Sequence, residues 1–541
     1  MFVEESVNKV ERMKNSSNIY RYLTAILVAS MCANEAMAQM NETGLPKLVV
    51  NITIDQLRSD YLQIFERFYS DGGFKRLMRD GLVYEKAIND YFPADRSSAT
   101  ATIVSGATPY YNGIVSNSWI DRKTLRRTGC VEDKNTKAGQ GRDAASAKNL
   151  MTTTIGDELK VFTNGMSKVY SIGPERDAAI ISAGHAGDLA LWIDDNTGRW
   201  TTTNAYALAA DQWAMGVTAN FPIADKLKSL KWSPLSGLGE TLSLFMGEGM
   251  QKSFSHPFTG ERKFIDFKRS ALVNEEVSLL ALKCQKDNGL GTDDVTDLLC
   301  IQYYAGKPLE SVLSSNRTEL QDTYMRLDHE LNRIIETLES RLGKGQVLFI
   351  LSSTGYSEIE DVDYDKYGIP SGTFYINRTA NLLNMYLSNV YGKGQYVDAV
   401  YHNQIYLNHR LIEQQQLSLS EILKRSRDFL FLSEGIRDIQ TSENILSSTN
   451  ENLLKIRNGY SLTLSGDIIC EVAPGWQVVN ENTGEKFNPT PSAVIFPIIF
   501  YGAGVKASHV ETVVSTDRIA PTISKSLRIR APNGCKSLPL F

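Results

Sequence analysis

The chain is poor in cysteine and proline, carries no excess of charge of either sign, and has no apolar run long enough to cross a bilayer comfortably. Six cysteines occur in 541 residues, and the five beyond the N-terminal region (Cys130, Cys284, Cys300, Cys470 and Cys535) are scattered without a CxxC pair. That excludes a zinc ribbon and a dense disulfide framework, although one or two bridges are allowed in an exported protein. The 57 basic and 62 acidic residues leave a formal charge of −5, no footprint for nucleic acid or an anionic membrane. Low-complexity tracts, heptads and internal repeats are absent, which argues against coiled coils and solenoids. Histidine is scarce too, with His185, His256, His329, His402, His409 and His509 making six.

What is present begins with an export signal. Lys14 and Arg21 precede the apolar stretch Tyr22 to Ala33, and Ala36-Met37-Ala38 is a small-x-small cleavage site. The stretch falls short of the roughly 20 residues a transmembrane helix needs. Met13 gives a better start than Met1, because Glu4, Glu5 and Glu11 do not suit a basic leader. Cys32 is a lipidation candidate, but Met31 is a poor residue before a lipidated cysteine. The expectation is cleavage after residue 38 and export to the periplasm, the outer membrane or the cell surface, with no membrane span.

Four apolar runs read as buried parallel strands: Leu48–Ile54, Val169–Ile172, Val347–Leu351 and Ala493–Phe500. Helical patterns lie between them, at Ala99–Val104 and at Leu320–Leu342, where Met325, Leu327, Leu331, Ile334, Ile335, Leu338 and Leu342 recur at helical spacing. The alternation predicts an α/β sheet covered on both faces. Segments 191–295 and 373–465 are more polar and irregular, and read as insertions able to cap the strand ends. Asp55 closes the first strand, where ligands gather in open α/β sheets; a lone Asp there is also a common helix cap.

Taken together, the ordered segments resemble the alkaline phosphatase superfamily, nearest its single-domain, phosphate-irrepressible bacterial branch, which is similar to type I phosphodiesterases and nucleotide pyrophosphatases. The segments are PKLVVNITIDQLRSDYL at 46–62, GGFKRLMRDG at 72–81, SGATPYYNGIVSNSW at 105–119, AGH at 183–185, and DDVTDLL at 293–299. They continue with DTYMRLDHEL at 322–331, RLGKGQVLFILSS at 341–353, FPIIFYGAGV at 496–505 and TDRIAPTIS at 516–524. The resemblance implies an alkaline-phosphatase-like α/β sandwich over residues 46–541, with a mostly parallel central sheet, helices on both faces and inserted cap segments. It also implies a zinc pair clamping an in-line phosphoryl transfer, with a Thr or Ser nucleophile at a helix N-terminus.

Position by position, the implied site is altered. Asp55 falls on the first metal carboxylate and Asn117 on the phosphoryl-binding Asn, and both are kept. The nucleophile position is Arg96, which has no deprotonatable oxygen. The other metal positions fall on Lys307, Ser311, Thr354, Gly355 and Ile495, and the phosphate-binding cations on Glu175 and Asp177. No histidine occupies a matched ligand position, and zinc needs three or four ligands held together. A register shift placing Ser97 or Ser98 at the nucleophile position is disfavoured by the spacing from Pro93 and from Gly106.

The substitutions form a set. Arg96 and Lys307 bring cations to the pocket that would otherwise leave Asp55 buried and unpaired, which is costly. Arg96 is expected within salt-bridge reach of Asp55. The sequence therefore predicts no metal, no cofactor and no family catalysis: an exported pseudoenzyme that binds a protein partner in the cell envelope. Two alternatives stand beside it: a phosphoric ester hydrolase with a rebuilt site, which lacks a visible nucleophile–base pair, and a binder of an anionic ligand through Asn117, Arg96 and Arg176.

Overall fold

The computed structural model describes residues 44–541 except 137–141, 207–212, 215, 218–221, 236–253, 308–316, 359–363 and 488–491. The expected leader and cleavage site, Cys32 and Ser311 lie outside the described residues.

Strand Leu48–Asp55 is fully buried along its length and forms the middle of an eleven-stranded sheet. It pairs in parallel with Asp297–Tyr304 on one side and Val347–Ser353 on the other. Val169–Ile172 and Leu189–Ile193 extend the parallel run. The sheet is mostly parallel, with helices on both faces. The expected strand near Ala493–Phe500 is observed as Phe496–Gly502, but it runs antiparallel to Val347–Ser353. Apolar content marks burial and not direction, and an antiparallel strand flanking a parallel sheet is common.

Side-chain alternation along the first strand positions the site. Leu48, Val50, Ile52 and Ile54 enter the core beneath helices Leu272–Asp287 and Arg317–Leu342. That second helix follows the expected spacing, with Leu327, Leu331, Ile334, Ile335 and Leu338 wholly buried. Val49 enters the opposite core, beneath helices Arg96–Ser105 and Arg176–Ala183. A period of two therefore puts Asp55 on the face of Val49, toward the N-termini of those two helices.

Residues 372–487 build a lobe with its own core. Its sheets are Val397–Tyr401, Gln404–Leu407, Ile468–Val472 and Ile436–Thr441, and Gly372–Tyr375, Trp476–Asn480 and Glu485–Phe487. Helices Lys263–Lys268 and Leu272–Asp287 pack on the main core. The five cysteines from Cys130 onward are unpaired. Among the described residues, no helix is long and apolar enough to cross a membrane.

Candidate functional site

The N-terminus of helix Arg96–Ser105 organises the site. Asp95 caps it reciprocally: its carboxylate accepts from the Ser98 N–H at 2.9 Å, and Ser98 Oγ accepts from the Asp95 N–H at 2.9 Å. The other Asp95 oxygen accepts from Ser116 Oγ and from the Asn117 N–H, tying the kept Asn to the same turn. Asn117 is exposed, and its Oδ1 accepts from the Ser97 N–H at 3.1 Å. With the oxygen engaged, the amide NH2 is the group this residue offers a ligand.

Arg96 is one-fifth exposed and meets three carboxylates. Asp177 is nearest, with Nε 3.1 Å from both oxygens and Nη2 3.1 Å from Oδ1. Glu175 lies at 3.7 Å and Asp55 at 3.8 Å. The expected reach to Asp55 is present, but 3.8 Å is charge proximity without a hydrogen bond. Asp55 Oδ1 accepts from Thr354 Oγ1 at 2.9 Å, while Oδ2 is buried with no hydrogen-bond partner. Burial pushes the Asp55 carboxyl up to about 7 despite the opposing pull of Arg96 and Thr354.

Glu175 shows the opposite balance. Burial raises it, but Lys268 and Arg96 together outweigh that and hold its carboxyl at about 2. Lys268 is almost wholly buried, donates to Glu175 Oε2 at 2.9 Å and pairs with Asp195. The acids at the two phosphate-cation positions are each paired with a cation, Lys268 for Glu175 and Arg96 for Asp177, although Lys268 is shared with Asp195 and Arg96 with Asp55.

Ser97 is the residue that sequence spacing set aside. It is wholly buried, and its Oγ donates to Asp177 Oδ2 at 2.5 Å and accepts from Cys130 Sγ at 3.2 Å. Arg96, Cys130 and Asp177 line a cavity of about 470 Å³ whose wall also includes Asn117, Arg127, Arg176 and Lys268. Ser97 Oγ sits directly behind that wall. The first turn of the helix thus presents a hydroxyl to a carboxylate.

The remaining positions do not converge. A second cavity of only about 10 Å³ joins Asp55, Arg96, Glu175 and Thr354, closed by Gln302, Tyr303 and Tyr304. Lys307 does not line it: Tyr304 Oη donates to the Lys307 carbonyl, so the chain leaves past that ring. Ile495 is 48% exposed and contributes its carbonyl to the Ser59 N–H. Gly355 is left-handed, at φ +70, and an added Cβ would meet Phe496 and Asn89.

These donors do not fit a zinc pair. The matched positions within the described residues supply one carboxylate, Asp55, facing a guanidinium and a hydroxyl. Among the described residues, no group of three or more His, Cys, Asp or Glu side chains could hold a metal ion.

The type I phosphodiesterase / nucleotide pyrophosphatase family matches residues 49–493. The chain is 28% identical to a protein of Myroides odoratus named calcium-transporting ATPase, over 95% of this chain and 98% of that one. It is 29% identical to alkaline phosphatase PhoV of Synechococcus elongatus, over 90% and 91%. It is 26% identical to alkaline phosphatase PafA of Elizabethkingia meningoseptica, over 96% and 98%. A crystal structure of alkaline phosphatase PafA shares the fold, with a TM-score of 0.78, 24% identity, and coverage of 92% of this chain and 99% of that one.

These findings overturn the expectation of a pseudoenzyme, because relatives named alkaline phosphatases run nearly the whole length of the chain. The expected envelope partner loses its premise, having been inferred from missing chemistry. Spacing disfavoured Ser97, yet the fold brings its hydroxyl onto Asp177, a contact 80 positions apart that spacing does not reveal.

Proposed function

The chain belongs to the type I phosphodiesterase / nucleotide pyrophosphatase family, and from that premise we propose that it is a phosphoric ester hydrolase with a site rebuilt around Ser97 and Asp177. The observation that carries this reading is the Ser97 Oγ–Asp177 Oδ2 hydrogen bond of 2.5 Å beside an open cavity bearing Asn117 and arginines. Lacking a donor set for the family's zinc pair, the site is read through its own side chains.

In the resting arrangement Arg96 occupies Asp177 and screens Ser97. An entering phosphoryl group competes for the guanidinium, so Arg96 turns to the substrate and releases the Asp177 carboxylate. Asp177 then takes the Ser97 proton as Oγ bonds to phosphorus and the bond to the leaving oxygen breaks. The leaving oxygen takes up that proton, directly or through solvent. Water next attacks the phosphoserine, giving its proton to Asp177, and phosphate departs as Ser97 Oγ is reprotonated. The Asn117 NH2 and the helix N-terminus stabilise charge on the phosphoryl oxygens. The basic leader, apolar stretch and cleavage site support action outside the cytoplasm. We read residues 46–541 as one domain that carries the lobe.

The test is hydrolysis of p-nitrophenyl phosphate and bis(p-nitrophenyl) phosphate by the purified chain and its Ser97→Ala and Asp177→Asn variants. Turnover by wild type that falls to background in Ser97→Ala, and by about a hundredfold or more in Asp177→Asn, supports the reading. Turnover retained in Ser97→Ala but lost in Asp177→Asn means that water, not Ser97, attacks. No turnover of either ester by wild type sinks the proposal.

A further inference from the structure

We infer that Arg127 is the cation that grips the non-reacting phosphoryl oxygens, and that the lobe at 372–487 holds it over the site. This rests on the hydrolase reading above and deepens it.

The site needs such a cation. The two positions at which the family resemblance implies phosphate-binding cations carry Glu175 and Asp177; Lys268 is engaged with Glu175, and Arg96 reaches a phosphoryl group only after leaving Asp177. Lys268 has a side chain only 3% exposed and Arg96 one 21% exposed, whereas Arg127 and Arg176 are both exposed at the same cavity, and of these two Arg127 lies on the strand paired with the one that follows Asn117. An anion arriving from solvent therefore meets Arg127 without first dismantling a buried pair.

Arg127 is also held. It lies on the strand Arg126–Gly129, paired antiparallel with Ser118–Asp121, which follows Asn117 directly. One hairpin thus brings both the amide and the guanidinium to the cavity. Arg127 Nε donates to Ser118 Oγ at 2.9 Å, and Ser118 Oγ shares a 2.6 Å hydrogen bond with Tyr401 Oη. The guanidinium lies over the Tyr401 ring at 5.2 Å, and Nη1 donates to Glu485 Oε1 at 3.3 Å. Tyr401 stacks on His402, which stacks on Phe487, so the support runs into the lobe.

These bonds use two of the five guanidinium N–H donors and one ring face. The donors that remain suit a bidentate phosphate contact, and the fixed position reduces the rotamer entropy lost when that contact forms. Arg127 would then act on binding, with the lobe as its support.

The experiment measures binding of inorganic phosphate by calorimetry, and KM and kcat for p-nitrophenyl phosphate, on the full chain. Arg127→Ala is expected to weaken phosphate and raise KM by about tenfold or more, with a smaller effect on kcat and an unchanged unfolding midpoint. Low-millimolar guanidinium should restore part of the loss, which a merely structural role would not allow. Arg127→Lys should fall between, and Tyr401→Phe should weaken phosphate by about two- to threefold. If Arg127→Ala does not fold, Arg127→Gln and Tyr401→Phe carry the test. Phosphate binding equal to wild type in the Arg127 variants overturns the inference and leaves the hydrolase reading standing. A wild type that neither binds phosphate nor hydrolyses the ester overturns both.

Discussion

Arg96 stands between two cavities that share its guanidinium and Glu175 but differ greatly in size. The one beside Asp55 holds about 10 Å³, room for about one water. The one beside Asp177 holds about 470 Å³, the scale of a small-molecule site. On the first side a carboxylate is buried with one oxygen unpartnered, and its proton affinity rises. On the second, Lys268 and Arg96 hold Glu175 ionised next to an open wall. One half of the site is closed and the other is open to solvent.

Arg96 is where that contrast breaks most completely. Arg96→Met strips the cation from three carboxylates at once and should cost about 3–5 kcal/mol in a denaturant titration, the usual loss on removing one partner of a buried pair. A loss under about 1 kcal/mol would mean that both cavities are solvated.

The two sides should also respond oppositely to pH. Asp55 has a folded value raised from 3.8 to about 7, so its contribution is fully present below about pH 4 and lost as pH rises through 7. That rise corresponds to about 4 kcal/mol at most. Glu175 is lowered from 4.5 to about 2, so its contribution is present above about pH 4.5 and fades as pH falls toward 2, about 3 kcal/mol in all. Asp55→Asn should remove the fall in stability between about pH 4 and 7 and leave the fall below about pH 4.5, while Glu175→Gln does the reverse. If Asp55→Asn leaves the loss of stability between pH 4 and 7 unchanged, the closed cavity is not dry.

Much of this frame was legible in the sequence. The apolar runs gave three of the central parallel strands, and helical spacing gave the long helix Arg317–Leu342. Asp55 at a strand end pointed to the site, and the family resemblance placed Arg96 at the nucleophile position, where it was expected within reach of Asp55. What could not be read was orientation across distance. Lys268 meets Glu175 from 93 residues away, and nothing in its local sequence marks it as buried. Arg127 owes its position to Tyr401 and Glu485 of the lobe. Lys307, matched by position, lies beyond the Tyr304 ring, which no spacing reveals. Ser97 was visible, but its value depends on Asp177, which the sequence offered only as a misplaced acid.

A smaller effect sharpens the boundary of the closed side. Gly355→Ala places a Cβ 2.6 Å from the Phe496 ring and 2.7 Å from Asn89 Nδ2, at a φ of +70. A loss of about 1–2 kcal/mol is expected by thermal or chemical denaturation, with phosphate binding in the open cavity unchanged. Equal loss of phosphate binding would show that the two cavities are not separable.

The proposed step is attack of Ser97 on phosphorus with Asp177 as its base. Intact-mass analysis of the full chain, quenched in acid during turnover of p-nitrophenyl phosphate in the presence of a chelator, tests it most directly. The account predicts a species heavier by one phosphoryl group, mapped to Ser97 by peptide sequencing and missing from Ser97→Ala. Turnover with no such species, or a phosphoryl group mapped elsewhere and retained in Ser97→Ala, would contradict it.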